Sequence, residues 1–179
     1  MRHTGGVSET KTRTLVLLRH AKSDWPADIP DHERPLADRG RRDASAMGRW
    51  LREAGCRPDH VLCSTALRTR QTWELVRGEL AAAPPTTFEP RVYGATALEL
   101  LDVIAGAPAE AGTTLVIGHN PGLEILALSL SGEVPSRENE HLREKFPTAA
   151  VAVFAWSGRW DQLAAGSARL VHFVTPHDL

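Results

Sequence analysis

Short apolar runs alternate with segments of helical periodicity along most of the chain. Five runs are short enough and rich enough in aliphatic residues to be β-strands: residues 15–18, 61–63, 113–117, 151–154 and 170–174. Between the runs, apolar or small residues recur at i, i+3, i+4 and i+7, as in Ala44, Met47, Gly48 and Leu51. This alternation predicts an α/β fold with a mostly parallel central sheet between two helical layers, a three-layer α/β/α arrangement.

Capping residues mark the ends of two predicted helices. Thr96 is a suitable N-cap for a helix that follows it, and Gly106 is a suitable stop for the same helix. Residues 123–130 are apolar nearly all round, which predicts a helix buried against the sheet. Asn120 is expected to cap that helix, with Pro121 at its first position.

Polar segments set the expected boundaries of the fold. Residues 1–13 carry two glycines and no apolar period, so we expect a flexible N-terminal leader followed by a single domain over residues 14–179. Residues 23–35 and 132–145 are polar or charged, and we expect both to be loops that rim an active site. The remaining connections leave little room for a large cap domain.

Composition excludes several classes of function. The chain has 179 residues, of which 42% are hydrophobic and 24% charged, as in ordinary globular proteins. Its net charge of -1 gives no global attraction to nucleic acid. The first apolar run, residues 15–18, is interrupted by Arg19 and His20 and is too short for a membrane span or signal-peptide core, so we expect a cytoplasmic protein without a membrane partner. The two cysteines, Cys56 and Cys63, form no CxxC pair, and no spacing suggests a metal site or a cofactor.

Candidate chemistry follows three of the apolar runs. Arg19 and His20 follow the first run, Arg68 follows the second after Ser64, and His119 follows the third. Ligands of parallel α/β sheets bind at the carboxyl ends of strands, so these side chains can converge on one crevice. Two guanidinium groups suit the oxygens of a phosphate dianion, and a neutral imidazole can be the nucleophile. The pattern favours phosphoryl transfer with His20 as the attacking group.

Each of these residues also has an ordinary structural explanation. An arginine and a histidine after a strand are often only a polar strand end, Arg68 could pair within its own helix, and His119 could serve as a loop hydrogen-bonding residue. The P-loop pattern is absent. Cysteine phosphatases have five residues between cysteine and arginine, whereas only four separate Cys63 from Arg68. The occurrence of suitable residues after three strands favours the histidine mechanism.

Several longer motifs resemble those of the histidine phosphatase superfamily, and more closely those of SixA-type phosphohistidine phosphatases. The matching segments cover almost everything after Thr14: residues 17–25, 34–40, 64–72, 118–122, 146–148 and 176–179. The resemblance implies a phosphoglycerate mutase-like fold. It makes His20 the phosphorylated nucleophile, and it makes Arg19, Arg68 and His119 the groups that bind and stabilise the phosphoryl group.

Some positions are assigned less directly. By resemblance, Asn120 and Thr148 belong near the bound phosphate, although a threonine before an apolar strand is also ordinary β-propensity. Ala21 stands where the superfamily signature usually has glycine, which adds a methyl group close to the pocket.

The acid that protonates the leaving group in many superfamily members is not identified by any motif. Three candidates remain, Asp24, Glu99 and Glu124. Asp24 could equally be a loop residue, and the two glutamates could be favourable acids in a first helical turn.

The expected substrate is a phosphorylated protein or a small phosphorylated molecule. An open pocket without a cap favours phosphohistidine in proteins, with hydrolysis through a phosphohistidine enzyme intermediate and no metal. A phosphomonoesterase for a sugar phosphate or nucleotide derivative is the alternative enzyme. A phosphate-binding module without turnover is the alternative from another class.

Overall fold

A computed structural model of the protein describes residues 11–179 and shows a six-stranded sheet with helices on both faces. The strands are β1 (Thr12–Arg19), β2 (His60–Cys63), β3 (Thr86–Phe88), β4 (Thr113–Gly118), β5 (Val151–Ser157) and β6 (Arg169–Val174). The α-helices in this part of the chain are α1 (Asp38–Glu53), α2 (Leu67–Glu79), α3 (Ala97–Ala105), α4 (Gly122–Ser131) and α5 (Arg137–Glu144).

The sheet is mostly parallel, as predicted. Its strands lie in the order β3-β2-β4-β1-β5-β6. Strands β3, β2, β4 and β1 pair in parallel, whereas β5 runs antiparallel to both β1 and β6. Short connections and one-turn 3-10 helices, rather than a large cap domain, follow the strands within residues 11–179.

Alternate residues of β1 belong to two separate hydrophobic cores. Leu15 and Leu17 pack in the cluster that contains the buried faces of α3, α4 and α5. Val16 and Leu18 pack on the opposite face with residues of α1 and α2. A strand buried on both faces has no side chain that faces water, which explains why its sequence is a continuous apolar run. The three-layer prediction is confirmed.

Two of the predicted helix boundaries are confirmed by their capping contacts, and one is wrong. Thr96 accepts a hydrogen bond from the backbone N–H of Glu99 (3.2 Å), and Gly106 is the C-cap of the same helix, α3. Asn120, by contrast, does not cap α4. The residue before that helix is Pro121, and the Asn120 side chain donates to the carbonyl of Phe146 instead.

Residues 132–145 were expected to form a loop, but most of them form α5. The Ser136 hydroxyl accepts a hydrogen bond from the N–H of Asn139 (3.0 Å), which caps the helix. Leu142 is its buried apolar residue, so the sequence shows little amphipathic pattern. The edge strand β3 is likewise only three residues long, with two of them exposed, and gives no hydrophobic run to recognise.

The expected N-terminal leader lies mainly outside the described residues. Strand β1 begins at Thr12, slightly before the expected start of the domain at residue 14. The division into a leader and a single domain stays a prediction. Within residues 11–179, none of the helices has both the length and the apolar character that crossing a bilayer requires.

Helix α1 makes a close backbone contact with the segment that follows β1. Gly40 is buried, and a Cβ atom placed on it would overlap the carbonyl oxygen of Lys22. The same carbonyl accepts a hydrogen bond from the backbone N–H of Ala37 (2.9 Å). A glycine at position 40 therefore lets α1 begin directly against the chain that carries His20.

We predict that Gly40→Ala destabilises the protein by about 1–3 kcal/mol, although alanine is the better helix former, because the added methyl group must displace backbone. Gly78→Ala in α2 is the matched control, since no atom lies within 4 Å of a Cβ placed there. The control should be neutral or up to about 1 kcal/mol more stable. Chemical denaturation measures both values, and equal stability of the two variants would contradict the close contact.

Candidate active site

The carboxyl ends of three neighbouring strands meet at one edge of the sheet. In the order β2-β4-β1, these strands are followed by Ser64, His119 and His20. The backbone N–H of His20 donates to the carbonyl of Gly118 (3.1 Å), and that of Ser64 donates to Ile117 (3.0 Å). These bonds extend the sheet by one residue beyond β1 and β2, so the positions of the following side chains are fixed by sheet register.

His20 is a buried, neutral imidazole with one ring nitrogen available. Its side chain is held by a hydrogen bond of 2.8 Å between Nδ1 and the carbonyl of Ala21. A carbonyl can only accept, so Nδ1 carries the proton and Nε2 keeps its lone pair. Burial, opposed by that hydrogen bond and assisted by the nearby His119, Arg68 and Arg19, lowers the pKa of His20 to about 3. The ring is therefore uncharged and able to act as a nucleophile at neutral pH.

His119 lies beside His20, with 5.3 Å between the ring centroids. Its Nε2 is 2.7 Å from the hydroxyl of Ser64, and its Nδ1 is 3.4 Å from a terminal nitrogen of Arg68. A guanidinium can only donate, so we assign the proton of His119 to Nε2, which then donates to Ser64. Burial and the positive charge of Arg68 lower the pKa of His119 to about 4.

Arg68 is held by a residue that the sequence did not indicate. One terminal nitrogen donates to the backbone carbonyl of Asp31 (2.7 Å), and the other donates to its carboxylate (3.1 Å). The hydroxyl of Tyr93 donates to the same carboxylate (2.6 Å). The hydrogen bond from Tyr93, with those from Arg34 and Arg68, holds the pKa of Asp31 well below its usual range.

The sequence carries only weak signals for Asp31 and Tyr93. Tyr93 is the single tyrosine of the chain, and Asp31 lies in the charged segment 23–35 that was expected to rim the site. Neither residue directly follows a recognisable strand, so the rule that placed His20 and His119 could not find them.

Arg19 completes the cluster from the end of β1. One terminal nitrogen donates to the backbone carbonyl of Phe146 (3.1 Å), and burial lowers the pKa of Arg19 while nearby Glu124 opposes that effect. The buried Nε atoms of both Arg19 and Arg68 have no hydrogen-bond partner among residues 11–179. Buried donors of this kind are normally satisfied, and phosphate oxygens are suitable acceptors.

Asn120 and Thr148 occupy different positions relative to this cluster. Asn120 directs its Nδ2 group to the carbonyl of Phe146 (2.8 Å) and towards Glu124 (3.4 Å). In this arrangement it fastens the segment that also holds Arg19. Half-buried Thr148 lines a cleft together with Arg19. Their role as phosphate ligands stays a prediction.

The three candidate acids differ in their surroundings. Asp24 is exposed on the segment after β1. The carboxylate of Glu99 accepts from the backbone N–H of Thr96 (2.8 Å), which commits it to capping α3. Glu124 is half-buried, 3.4 Å from Asn120, and close enough to Arg19 to affect its pKa. Of the three, Glu124 has the clearest link to the cluster around His20, through Arg19.

The methyl group of Ala21 does not narrow the site. Ala21 is fully buried in a small cluster with Leu36, Ala44 and Ala149, and its backbone N–H donates to the hydroxyl of Thr72 (3.0 Å). The side chain therefore contributes to packing between the segment after β1 and α1, rather than to the wall of the pocket.

Cysteine chemistry has no support in this arrangement. Cys63 is buried, and its burial raises the pKa of the thiol to about 12. A thiol of that kind is not ionised at neutral pH and is a poor nucleophile. In the described part of the chain, no group of three or more His, Cys, Asp or Glu residues is arranged to hold a metal ion.

Comparison with known proteins identifies the family. Residues 15–92 match the model of the histidine phosphatase superfamily, branch 1. An uncharacterized protein of Mycobacterium tuberculosis is 41% identical over 162 residues, which cover 89% of this chain and 99% of that protein. A structure assigned as phosphohistidine phosphatase SixA from Nakamurella multipartitia is 35% identical, with a TM-score of 0.82 over 92% of this chain and 96% of that chain.

A more distant likeness concerns the fold alone. Phosphoglycerate mutase from Plasmodium falciparum is 15% identical, with a TM-score of 0.62 over 91% of each chain. The phosphoglycerate mutase-like fold is thus confirmed. From the family model and the similarity to the Nakamurella protein, it follows that this chain belongs to the histidine phosphatase superfamily.

Proposed function

We propose that the protein hydrolyses phosphohistidine in other proteins, through a covalent intermediate on His20. The observation that carries this proposal is the hydrogen bond from Nδ1 of His20 to Ala21, which leaves Nε2 as an uncharged nucleophile. Arg19, Arg68 and His119 surround it with groups suited to a phosphoryl dianion. A phosphate-binding module would need the arginines but would have no use for a histidine held in this tautomer.

The reaction proceeds in two displacements. The lone pair on Nε2 of His20 attacks phosphorus, and the bond from phosphorus to the substrate nitrogen breaks as the new nitrogen–phosphorus bond forms. The substrate imidazole, protonated on its other nitrogen, keeps the bonding electrons and leaves as a neutral ring. Water then attacks phosphorus, the bonding pair returns to Nε2 of His20, and the product departs as dihydrogen phosphate, which carries both protons of the water. Phosphoryl transfer of this kind depends mainly on positioning and charge stabilisation.

The surrounding residues stabilise charge without a metal ion in this proposal. Arg19 and Arg68 donate to the equatorial oxygens, where negative charge is greatest. A bound dianion also favours protonation of His119, whose Nδ1 can then donate to phosphate while Nε2 stays bound to Ser64. Substrate phosphate competes with the Asp31 carboxylate for Arg68, since both accept from the same guanidinium.

Exposed groups near the site support a protein as the substrate. Trp25 is 75% exposed, and the guanidinium of Arg34 stacks on its ring. Arg34 in turn pairs with Asp31, which contacts Arg68. Exposed aromatic side chains are common in protein interfaces. The alternative, a phosphatase for small metabolites, is tested by comparing substrates of both kinds.

The first prediction of the proposed function concerns the nucleophile. His20→Ala should lower turnover of an aryl phosphate at least about a thousandfold, because the covalent route is lost. Wild-type enzyme mixed with labelled substrate in the presence of a chelator, then quenched in base, should carry label on His20. Circular dichroism of the variant checks its fold. Retained turnover, or label on a serine or cysteine, would refute the mechanism, and loss of labelling in chelator would refute metal independence.

The second prediction concerns protonation. With a folded pKa of about 3 and an unfolded value of about 6.5, His20 binds more protons in the unfolded state between these limits. Its contribution to stability is therefore complete above pH 6.5 and is lost as the pH falls towards 3. Imidazole nitrogen NMR shifts should show a neutral, Nδ1-protonated His20 at pH 5. A titration midpoint near 6.5 would contradict the burial argument.

The third prediction distinguishes substrates by their leaving groups. An alkoxide is a strong base and needs a proton donor, whose contribution is typically about a hundredfold or more, whereas imidazole needs less help. We expect kcat/KM to be at least about a hundredfold higher for phosphohistidine peptides and aryl phosphates than for phosphoserine peptides or sugar phosphates. Steady-state kinetics on this panel measures the difference.

Equal kcat/KM for a sugar phosphate and phosphohistidine would favour the metabolite phosphatase and imply an effective acid. The variants Asp24→Asn, Glu99→Gln and Glu124→Gln would then identify that acid. Only substitution of the true proton donor should lower the turnover of alkyl phosphate esters while leaving the turnover of aryl phosphates unchanged. Glu99→Gln is also a control for capping, because a structural role alone would lower stability and leave the ratio between substrates unchanged.

A further inference from the structure

A second cleft of about 450 Å³ adjoins the phosphate pocket and shares Arg19 with it. Its walls come from the segment after β1, the start of α1, the turn between α5 and β5, and the C-terminal 3-10 helix at Pro176–Asp178. The charged side chains that line it are Arg19, Lys22, Arg39, Glu144, Lys145 and Asp178.

The cleft is basic although the chain as a whole carries a net charge of -1. Lys22 and Lys145 are exposed and form no ion pair with any of residues 11–179. Within the same residues, Arg39 forms an ion pair only with Asp43, at 3.5 Å. Local positive charge of this kind attracts an anion even when the net charge of the protein does not.

The two acidic side chains in the cleft do not cancel this charge. The carboxylate of Asp178 accepts hydrogen bonds from the backbone N–H (2.7 Å) and hydroxyl (3.0 Å) of Thr175, so it is occupied in holding the C-terminal turn. Glu144 is exposed at the end of α5, next to Lys145. Four cationic side chains therefore face two acidic ones, of which one is already bonded.

The arrangement of the cations indicates the form of the anion. Lys22, Arg39 and Lys145 stand on separate segments and are exposed, so they do not form the convergent, buried set of donors that a compact second phosphate requires. Flexible cationic side chains spread along a groove suit carboxylates spaced along a peptide. Lys22 follows His20 and Ala21 in the chain, so such a peptide would lie close to the transferred phosphoryl group.

We propose that this basic cleft binds acidic side chains that neighbour the phosphohistidine of a protein substrate, and so selects among phosphorylated proteins. This inference rests on the proposed function. Arg19 connects the two sites because it lines the cleft while lying in the cluster around His20. Lys22 and Lys145 are specificity residues in this scheme and do not touch the reacting atoms.

The test compares two phosphohistidine peptides, one with glutamates on both sides of the phosphorylated residue and one with glutamines there. At low salt, the wild-type kcat/KM should be about three- to tenfold higher for the acidic peptide, as expected for a few exposed charge pairs. In Lys22→Gln/Lys145→Gln the ratio should fall to about one, and high salt should have the same effect on the wild type. Aryl phosphate turnover should change less than about twofold in the double variant, because the aryl phosphate carries no second anion for the cleft to bind.

The matched control is Lys11→Gln/Arg57→Gln, which removes the same charge at the other end of the sheet. Lys11 precedes β1, and exposed Arg57 precedes β2. This variant should keep the preference for the acidic peptide. Loss of preference in the control as well would show a nonspecific charge effect and overturn the proposal.

Two further outcomes separate this inference from the proposed function. If the wild type turns over aryl phosphate and has the same kcat/KM for the acidic and the glutamine peptide, the proposed role of the cleft is overturned. The proposed phosphatase activity would still stand. Absence of any turnover by the wild type would overturn the proposed function itself. A small bisphosphate serves as a third substrate in this test. If its kcat/KM alone falls in Lys22→Gln/Lys145→Gln, the assignment of the cleft to acidic peptides is overturned.

Discussion

Two guanidinium groups lie largely out of water at one edge of the sheet, and the rest of the site is organised around the cost of burying them. Arg68 recovers part of its lost hydration from the carbonyl and carboxylate of Asp31, and Arg19 from the carbonyl of Phe146. Burial, assisted by the same positive charge, keeps His20 and His119 neutral. Charged arginines and uncharged imidazoles thus follow from one electrostatic environment, which a phosphate dianion would stabilise on binding.

Asp31 both compensates the charge of Arg68 and occupies its terminal nitrogens. Under the proposed function, phosphate oxygens would compete with the Asp31 carboxylate for Arg68. Tyr93 donates to the same carboxylate and can keep it satisfied when Arg68 turns to the substrate. In that proposal, the residues that hold the arginines would influence the affinity for phosphate as well as the arginines themselves.

The sequence was informative where burial on both faces of the sheet left a continuous apolar run. Strands β1, β2 and β4 were predicted for that reason, and the residues after them, His20, Ser64 and His119, were brought together by the register of parallel strands. Features that depend on one or two residues were not predictable. The short strand β3 and helix α5 have almost no hydrophobic pattern, and α5 is held by a cap and a single buried leucine.

Side chains that reach the site from loops were missed for a related reason. Asp31 and Tyr93 meet across distant parts of the chain, and nothing in their local sequence indicates the partner. Asn120 followed the local rule for a helix cap but has a stronger partner in the carbonyl of Phe146, at 2.8 Å. Tertiary contacts outweighed local propensity at that position.

The carbonyl of Phe146 accepts hydrogen bonds from both Arg19 and Asn120. Because this acceptor belongs to the main chain, no substitution of the side chain at position 146 removes it. Substitutions at position 146 are limited instead by packing, since the ring is buried among core residues. Arg19 is thus anchored by a main-chain group, whereas the charge that Lys22 or Lys145 brings to the cleft would be lost with a single substitution of its side chain.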